Sequence, residues 1–137
     1  MPIKLGIVPV TPYEQNCSIL VCQETGEAAV VDPGGDIDKI LEGVKKMGGN
    51  VKKILLTHGH LDHCGAAKDL AEQLGVPIEG PQIDERFWID QLPQQTVRFG
   101  FGHAKVFEPN RWLSDGDHVQ VGNVDLEIVE GLYFDFS

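Results

Sequence analysis

Apolar and polar positions along this chain follow two periods, and the switches between them mark out its elements. Residues 3–10 and 17–23 alternate or run apolar and predict strands, with Pro9, Pro12 and the polar stretch Tyr13-Glu14-Gln15-Asn16 between them. Residues 28–32, Ala-Ala-Val-Val-Asp, predict a short buried strand that Pro33-Gly34-Gly35 stops. The period then changes. Ile37, Ile40, Leu41, Val44 and Met47 recur at helical spacing, Asp36 stands where an N-cap belongs, and Gly48-Gly49 ends the helix. Residues 51–57 predict the next strand. Ala66, Ala67, Leu70, Ala71 and Leu74 then form a second helical stripe, closed by Gly75 with Pro77 just beyond. Strands alternating with helices predict an α/β layered architecture.

The second half is less regular. Residues 82–92 predict a short helix, and residues 96–107 show no clear period. Residues 118–129 predict a hairpin: Val119, Val121, Val124, Leu126 and Ile128 share one face, and Gly122-Asn123 makes a two-residue turn. No internal repeat, low-complexity run or linker interrupts the chain. Its 137 residues suit one domain, residues 1–137.

Composition narrows the functional classes. Apolar residues make up 42% and charged residues 23%, an ordinary globular profile. The formal net charge is −10 and the pI is about 4.7. A nucleic-acid partner would need a basic face to neutralise phosphates, and an anionic membrane would need a polybasic patch. Neither is expected. The opening Met1–Val10 lacks the apolar core of a signal peptide, and the apolar runs are too short to span a bilayer. Three cysteines, Cys17, Cys22 and Cys64, do not form a disulfide framework. A reducing, cytoplasmic setting is the expectation.

The chemistry concentrates in residues 54–66, Ile-Leu-Leu-Thr-His-Gly-His-Leu-Asp-His-Cys-Gly-Ala. Three of the chain's five histidines lie here. His58 and His60 flank Gly59, which lets the backbone bend so that both imidazoles can aim at one point. Asp62 and His63 follow at a helix start and can reach back to the same cavity. Imidazole and carboxylate are zinc ligands, and two such pairs would make a two-metal hydrolytic centre. The competing reading, a solvated loop with Asp62 as a cap, does not account for four such residues in six positions. Cys64 next door reads as a small buried residue rather than a ligand. Asp32 reads as a turn residue before Pro-Gly-Gly. There is no Gly-x-Gly-x-x-Gly and no Walker lysine, which argues against a phosphate cradle at residues 33–36.

The run His58-Gly59-His60-Leu61-Asp62-His63 resembles the His-x-His-x-Asp-His signature of the metallo-β-lactamase superfamily. The likeness extends to its glyoxalase-II-like branch of thioester hydrolases through Asn16-Cys17, through residues 30–36 (Val-Val-Asp-Pro-Gly-Gly-Asp) and through residues 111–123, over roughly residues 3–129. The resemblance implies an α/β fold, the N-terminal half of an αβ/βα sandwich with a mixed sheet. It implies that His58 and His60 hold a first metal and Asp62 and His63 a second. Asp62 would also act catalytically by orienting the attacking water, and Asp32 would support the loop from behind the ligands. It implies zinc, one or two ions, although iron and manganese also suit these donors. The substrate would be a small-molecule thioester or related ester, attacked by a metal-bound hydroxide.

The family pattern continues with His-x-Pro-Gly-His-Thr, a bridging aspartate and a last histidine. Residues 130–134 stand at the first of these as Glu-Gly-Leu-Tyr-Phe, with Phe134 at the ligand position. The expectation is therefore an incomplete domain whose inward sheet face lacks much of its cover. Tyr133, Phe134 and Phe136, or a second copy of the chain, would cover it. With fewer than three ligands per ion, weak or partial metal binding and low activity are expected. The spare histidines His103 and His118 read as surface residues, and Asp115 and Asp117 as turn residues around Gly116. Nothing in the spacing favours Glu130 or Asp135 as replacement donors. Two alternatives stay open: an iron-dependent persulfide dioxygenase-like enzyme, and a non-catalytic metal-binding or oligomerising remnant.

Overall fold

Two sheets and one layer of helices make up the computed structural model, which describes residues 3–100, 102, 104–129 and the backbone of 133–136. The elements run β1 (Ile3–Val10), β2 (Gln15–Cys22), β3 (Glu27–Val31), α1 (Ile37–Met47), β4 (Asn50–Leu55), α2 (Leu61–Cys64), α3 (Ala67–Leu74) and β5 (Ile78–Glu79). A 3-10 turn (Ile83–Glu85), α4 (Arg86–Asp90), α5 (Leu92–Phe99), β6 (His118–Val121), β7 (Val124–Val129) and β8 (Tyr133–Phe136) follow.

Strands β1 to β5 form one sheet in chain order. The β1–β2 and β2–β3 pairs are antiparallel, and β3–β4 and β4–β5 are parallel. The α/β architecture expected from the alternating elements is therefore present, with the mixed sheet that the resemblance implies. Parallel pairing needs a crossover, and α1 supplies one while α2 and α3 supply the other. Crossover helices cover one sheet face. Cys17, Ile19, Val21, Val30 and Ile54 pack there against Ile40, Val44, Leu61 and Leu70.

The opposite face holds a second core. Leu20, Ala29, Val31 and Leu55 pack against Val119, Val121, Val124, Leu126 and Ile128 of the three-stranded β6–β7–β8 sheet. Strand β3 and the end of β4 are thus buried on both faces, which is why Ala-Ala-Val-Val and Ile-Leu-Leu read as unbroken apolar runs. The five hairpin residues share one buried face as their alternation predicts. The sheet face expected to stand uncovered is instead covered over β2, β3 and β4. Only at β1 do its large residues show, with Leu5 and Ile7 more than half exposed.

Other expectations are corrected. Asp36 sits at the N-cap position of α1 but caps nothing: it is left-handed (φ 54°), and its carboxylate accepts from Thr11 N at 2.8 Å. The tail adds an element without a sequence signal: β8 pairs antiparallel with β7, with Phe134 opposite Ile128. Residues 82–92 split into the 3-10 turn and α4, and α5 extends into the stretch that showed no period. Side chains of residues 133–136, and residues 130–132, lie outside what is described.

Candidate metal centre

The site forms where two parallel strands end side by side. Strand β3 stops at Val31 and β4 at Leu55, and Asp32 N donates to Leu55 O at 2.9 Å. Asp32 and the loop 56–63 therefore leave the same sheet edge together. Ligands of open α/β sheets bind beyond the carboxyl ends of parallel strands, where the loops converge.

Asp32 is 5% exposed and left-handed, at φ 55°. A non-glycine residue there is held against its backbone preference by its surroundings. The holding contacts are visible. Thr57 donates its amide to Asp32 Oδ1 at 2.8 Å and its hydroxyl to Oδ2 at 2.5 Å. His63 Nδ1 lies 3.0 Å from Oδ2. One buried carboxylate thus ties the start and the end of the histidine loop together.

More distant residues complete the loop. Gly59 N donates to Glu85 Oε1 at 3.0 Å. Leu61 N donates to the buried Gln95 Oε1 at 2.8 Å, while Gln95 Nε2 donates to Trp88 O. Ala66 N donates to Pro33 O, which fixes the Pro-Gly-Gly turn against α2. Gly34 is required by that approach: a Cβ there would lie 1.8 Å from Asp62 O.

The histidines converge within this frame. Ring centres lie 4.4 Å apart for His58 and His63, 5.9 Å for His58 and His60, and 6.3 Å for His60 and His63. His63 Nε2 is 3.9 Å from Asp62 Oδ1, and the His58, His63 and Asp32 ligand atoms lie within 4.8 Å of one another. The structure therefore brings Asp32, His58 and His63 together, while His60 and Asp62 lie beside this cluster rather than within it. His58 Nδ1 is 2.8 Å from Thr57 Oγ1, and His63 Nδ1 faces Asp32, so each ring has a nitrogen engaged in support. That is how ring orientation is set at metal sites.

Charge distinguishes the two rings. Burial, and then the neighbouring His63, lower the His58 pKa. Burial opposes protonation of His63, but the hydrogen bond and charge of Asp32, with Asp62 and Glu85, outweigh it and raise the pKa. Among the described residues, no lysine or arginine pairs with Asp32 or Asp62. Clustered carboxylates beside three imidazoles, with no fixed cation to balance them, suit a divalent cation.

The remaining candidates fall elsewhere. Cys64 is buried, with its thiol pKa pushed well up by burial. His118 is exposed, 2.6 Å from Asp125, and away from the cluster. Asp117 caps the Gly116 turn by accepting from Ser114 N. His103 and Glu130 lie outside the described residues. Glu85, Gln95 and Thr57 were not singled out in the sequence. The first two lie 26 and 34 residues from their partners, and no local pattern marks them.

A mixed sheet with this loop at its parallel carboxyl edge defines a class of metal-binding α/β proteins. The chain matches the model of the metallo-beta-lactamase superfamily over residues 10–133, and it belongs to that superfamily. It is 38% identical over 128 residues to hydroxyacylglutathione hydrolase GloC of Haemophilus influenzae, covering 93% of this chain and 60% of that one. The chain thus spans about 60% of that relative's length. Among solved structures, it resembles the B3 metallo-beta-lactamase BLEG-1 with a TM-score of 0.76 at 24% identity, covering 90% of this chain and 59% of that one. It resembles TTHA1623 in a di-iron-bound form with a TM-score of 0.73 at 24% identity, covering 89% and 59%. The fold is that of the N-terminal part of such proteins.

Proposed function

We propose that this chain carries the metal-binding half of a hydrolase acting on a thioester or related ester. The observation that carries the reading is the clustering of His58 and His63 on Asp32 at the sheet edge, with His60 and Asp62 beside them on the same loop. The likeness to a hydroxyacylglutathione hydrolase supports the substrate class.

His58 and His60 would hold one ion, and Asp62 and His63 the other. Bound metal would supply Lewis acidity, making water acidic enough to act near neutral pH and polarising the acyl carbonyl. The protein's own part is positional. Asp32 holds the His63 ring, Thr57 holds His58, and Glu85 and Gln95 pin the loop backbone between them. Asp62 is half-buried beside the cleft, where its carboxylate can accept a proton from water and orient it.

With two donors to each ion, the chain holds metal weakly and turns over slowly. The test is metal content per chain after purification without added metal, followed by thiol release from a model thioester. Zinc retention with slow hydrolysis that His60→Ala abolishes supports the proposal. No zinc binding even when zinc is added back to the purified chain overturns it. Iron in place of zinc, with oxygen uptake on a persulfide, would replace it with the dioxygenase reading.

A further inference from the structure

A cleft of about 500 Å³ opens directly beside His60 and Asp62. Its far wall is built from residues that the proposed metal centre does not use: Tyr13, Trp88, Gln94, Arg98 and Phe99. Three observations mark this wall as a binding surface.

The first is the placement of Tyr13. It sits on the β1–β2 turn, where Thr11 and Glu14 both have positive φ, 68° and 53°. Two non-glycine residues in that region store strain that the surroundings must offset. Asp36 pins the turn by accepting from Thr11 N, and Thr11 Oγ1 accepts from Tyr13 N. The result is a largely exposed aromatic ring, edge-on to Phe99 with ring centres 6.1 Å apart.

The second is the aromatic continuity. Trp88 packs on His60 at 4.8 Å, so the apolar wall runs up to the candidate ligands. Tyr13, Trp88 and Phe99 all stay more than a third exposed. Exposed aromatic rings around a concave surface are what an apolar ligand body needs.

The third is charge. The chain carries 21 acidic residues against 11 basic ones. Yet Arg98 on this wall pairs with no carboxylate among the described residues, and its guanidinium lies 5.9 Å from the Phe99 ring centre. Apart from Asp62, no acid lines the cleft among the described residues. In so acidic a protein, an unneutralised guanidinium resting on an aromatic ring is a ready anion site.

We propose that this cleft is the substrate subsite, and that Arg98, with Tyr13 and Phe99 beside it, selects substrates bearing an anionic group on an apolar body. The inference rests on the hydrolase reading for its substrate class, an acyl thioester with a carboxylate on its acyl or thiol part. Its test does not depend on turnover.

The probes are (phenylthio)acetate and its neutral amide, (phenylthio)acetamide, titrated into the chain as purified and followed by ligand-observed NMR. The carboxylate should bind more tightly than the amide. Arg98→Gln should weaken the carboxylate by about fivefold to tenfold and leave the amide unchanged, and Arg98→Lys should recover part of the loss. Tyr13→Ala should weaken both probes alike, because it removes apolar surface rather than charge. Both residues are exposed, and an unchanged thermal midpoint confirms that each variant folds. Equal binding of the two probes overturns the proposal. So does carboxylate binding that survives Arg98→Gln, which would place the anion on bound metal instead. Absence of thiol release from thioesters would overturn the hydrolase reading and leave this binding result standing.

Discussion

The β6–β7 hairpin and the histidine loop are both short segments, but they are held in opposite ways. The hairpin follows from nearest neighbours. Its five apolar residues alternate, its turn falls on Gly122-Asn123, and its paired residues lie within ten positions of one another. The loop has almost no internal order. Its six residues from His58 to His63 contain a single helical turn, and they are held by Asp32, Glu85 and Gln95, 26 to 34 residues away. A scaffold can be built from local rules, whereas a site that must aim four side chains at one point needs constraints from several directions.

This contrast can be broken from either side. The largest effect is expected from Leu126→Ala, fully buried in the hairpin core, which should cost about 2–5 kcal/mol in urea unfolding. Metal retained per folded chain should not change, and a loss of metal in that variant would show that hairpin and site are coupled. Gly34→Ala should act on the other side. Its methyl group meets the Asp62 backbone, so the turn must shift, at about 1–3 kcal/mol, with weakened metal retention.

Gln95→Leu should cost about 1–3 kcal/mol in thermal or urea unfolding, because it leaves the Leu61 amide buried without an acceptor. Asp32→Asn keeps the shape but loses one carboxylate oxygen from the Thr57 and His63 contacts. It should lower zinc affinity by about 10–100-fold, read by competition with a chromophoric chelator, with little change in hairpin stability.

The smallest effect concerns the thiols. All three cysteines are buried, and burial with the Asp32 charge pushes the Cys17 pKa up to about 12. None should react quickly with a maleimide in the folded chain. Cys64 lies under the histidine loop, and Cys22 lies under the hairpin, within hydrogen-bond reach of Asn123. Zinc should slow labelling of Cys64 and leave Cys22 unchanged, site by site in mass spectrometry. Equal protection of both would mean that the two regions open as one unit.

The amino-acid sequence by itself determined strands β1 to β4, both main crossover helices, the hairpin face and the loop that gathers the candidate metal ligands. These are features in which chemistry and period lie close together in the chain, so neighbouring residues report on one another. Strand β3 was legible as buried because a short apolar run without alternation leaves neither face polar enough for water. Asp32 was legible only beside the Pro-Gly-Gly that follows it.

Tertiary structure alone decided the rest. It showed that Asp32 ties Thr57 to His63, that Asp36 serves Thr11 rather than its own helix, and that the second sheet covers β2, β3 and β4. It also brought Glu85 and Gln95 to the loop, and Tyr13 to Arg98 and Phe99 across the cleft. The physical reason is common to all of these. A hydrogen bond or ring contact between residues tens of positions apart leaves no periodic trace, and its partner is chosen by how the sheet and helices pack.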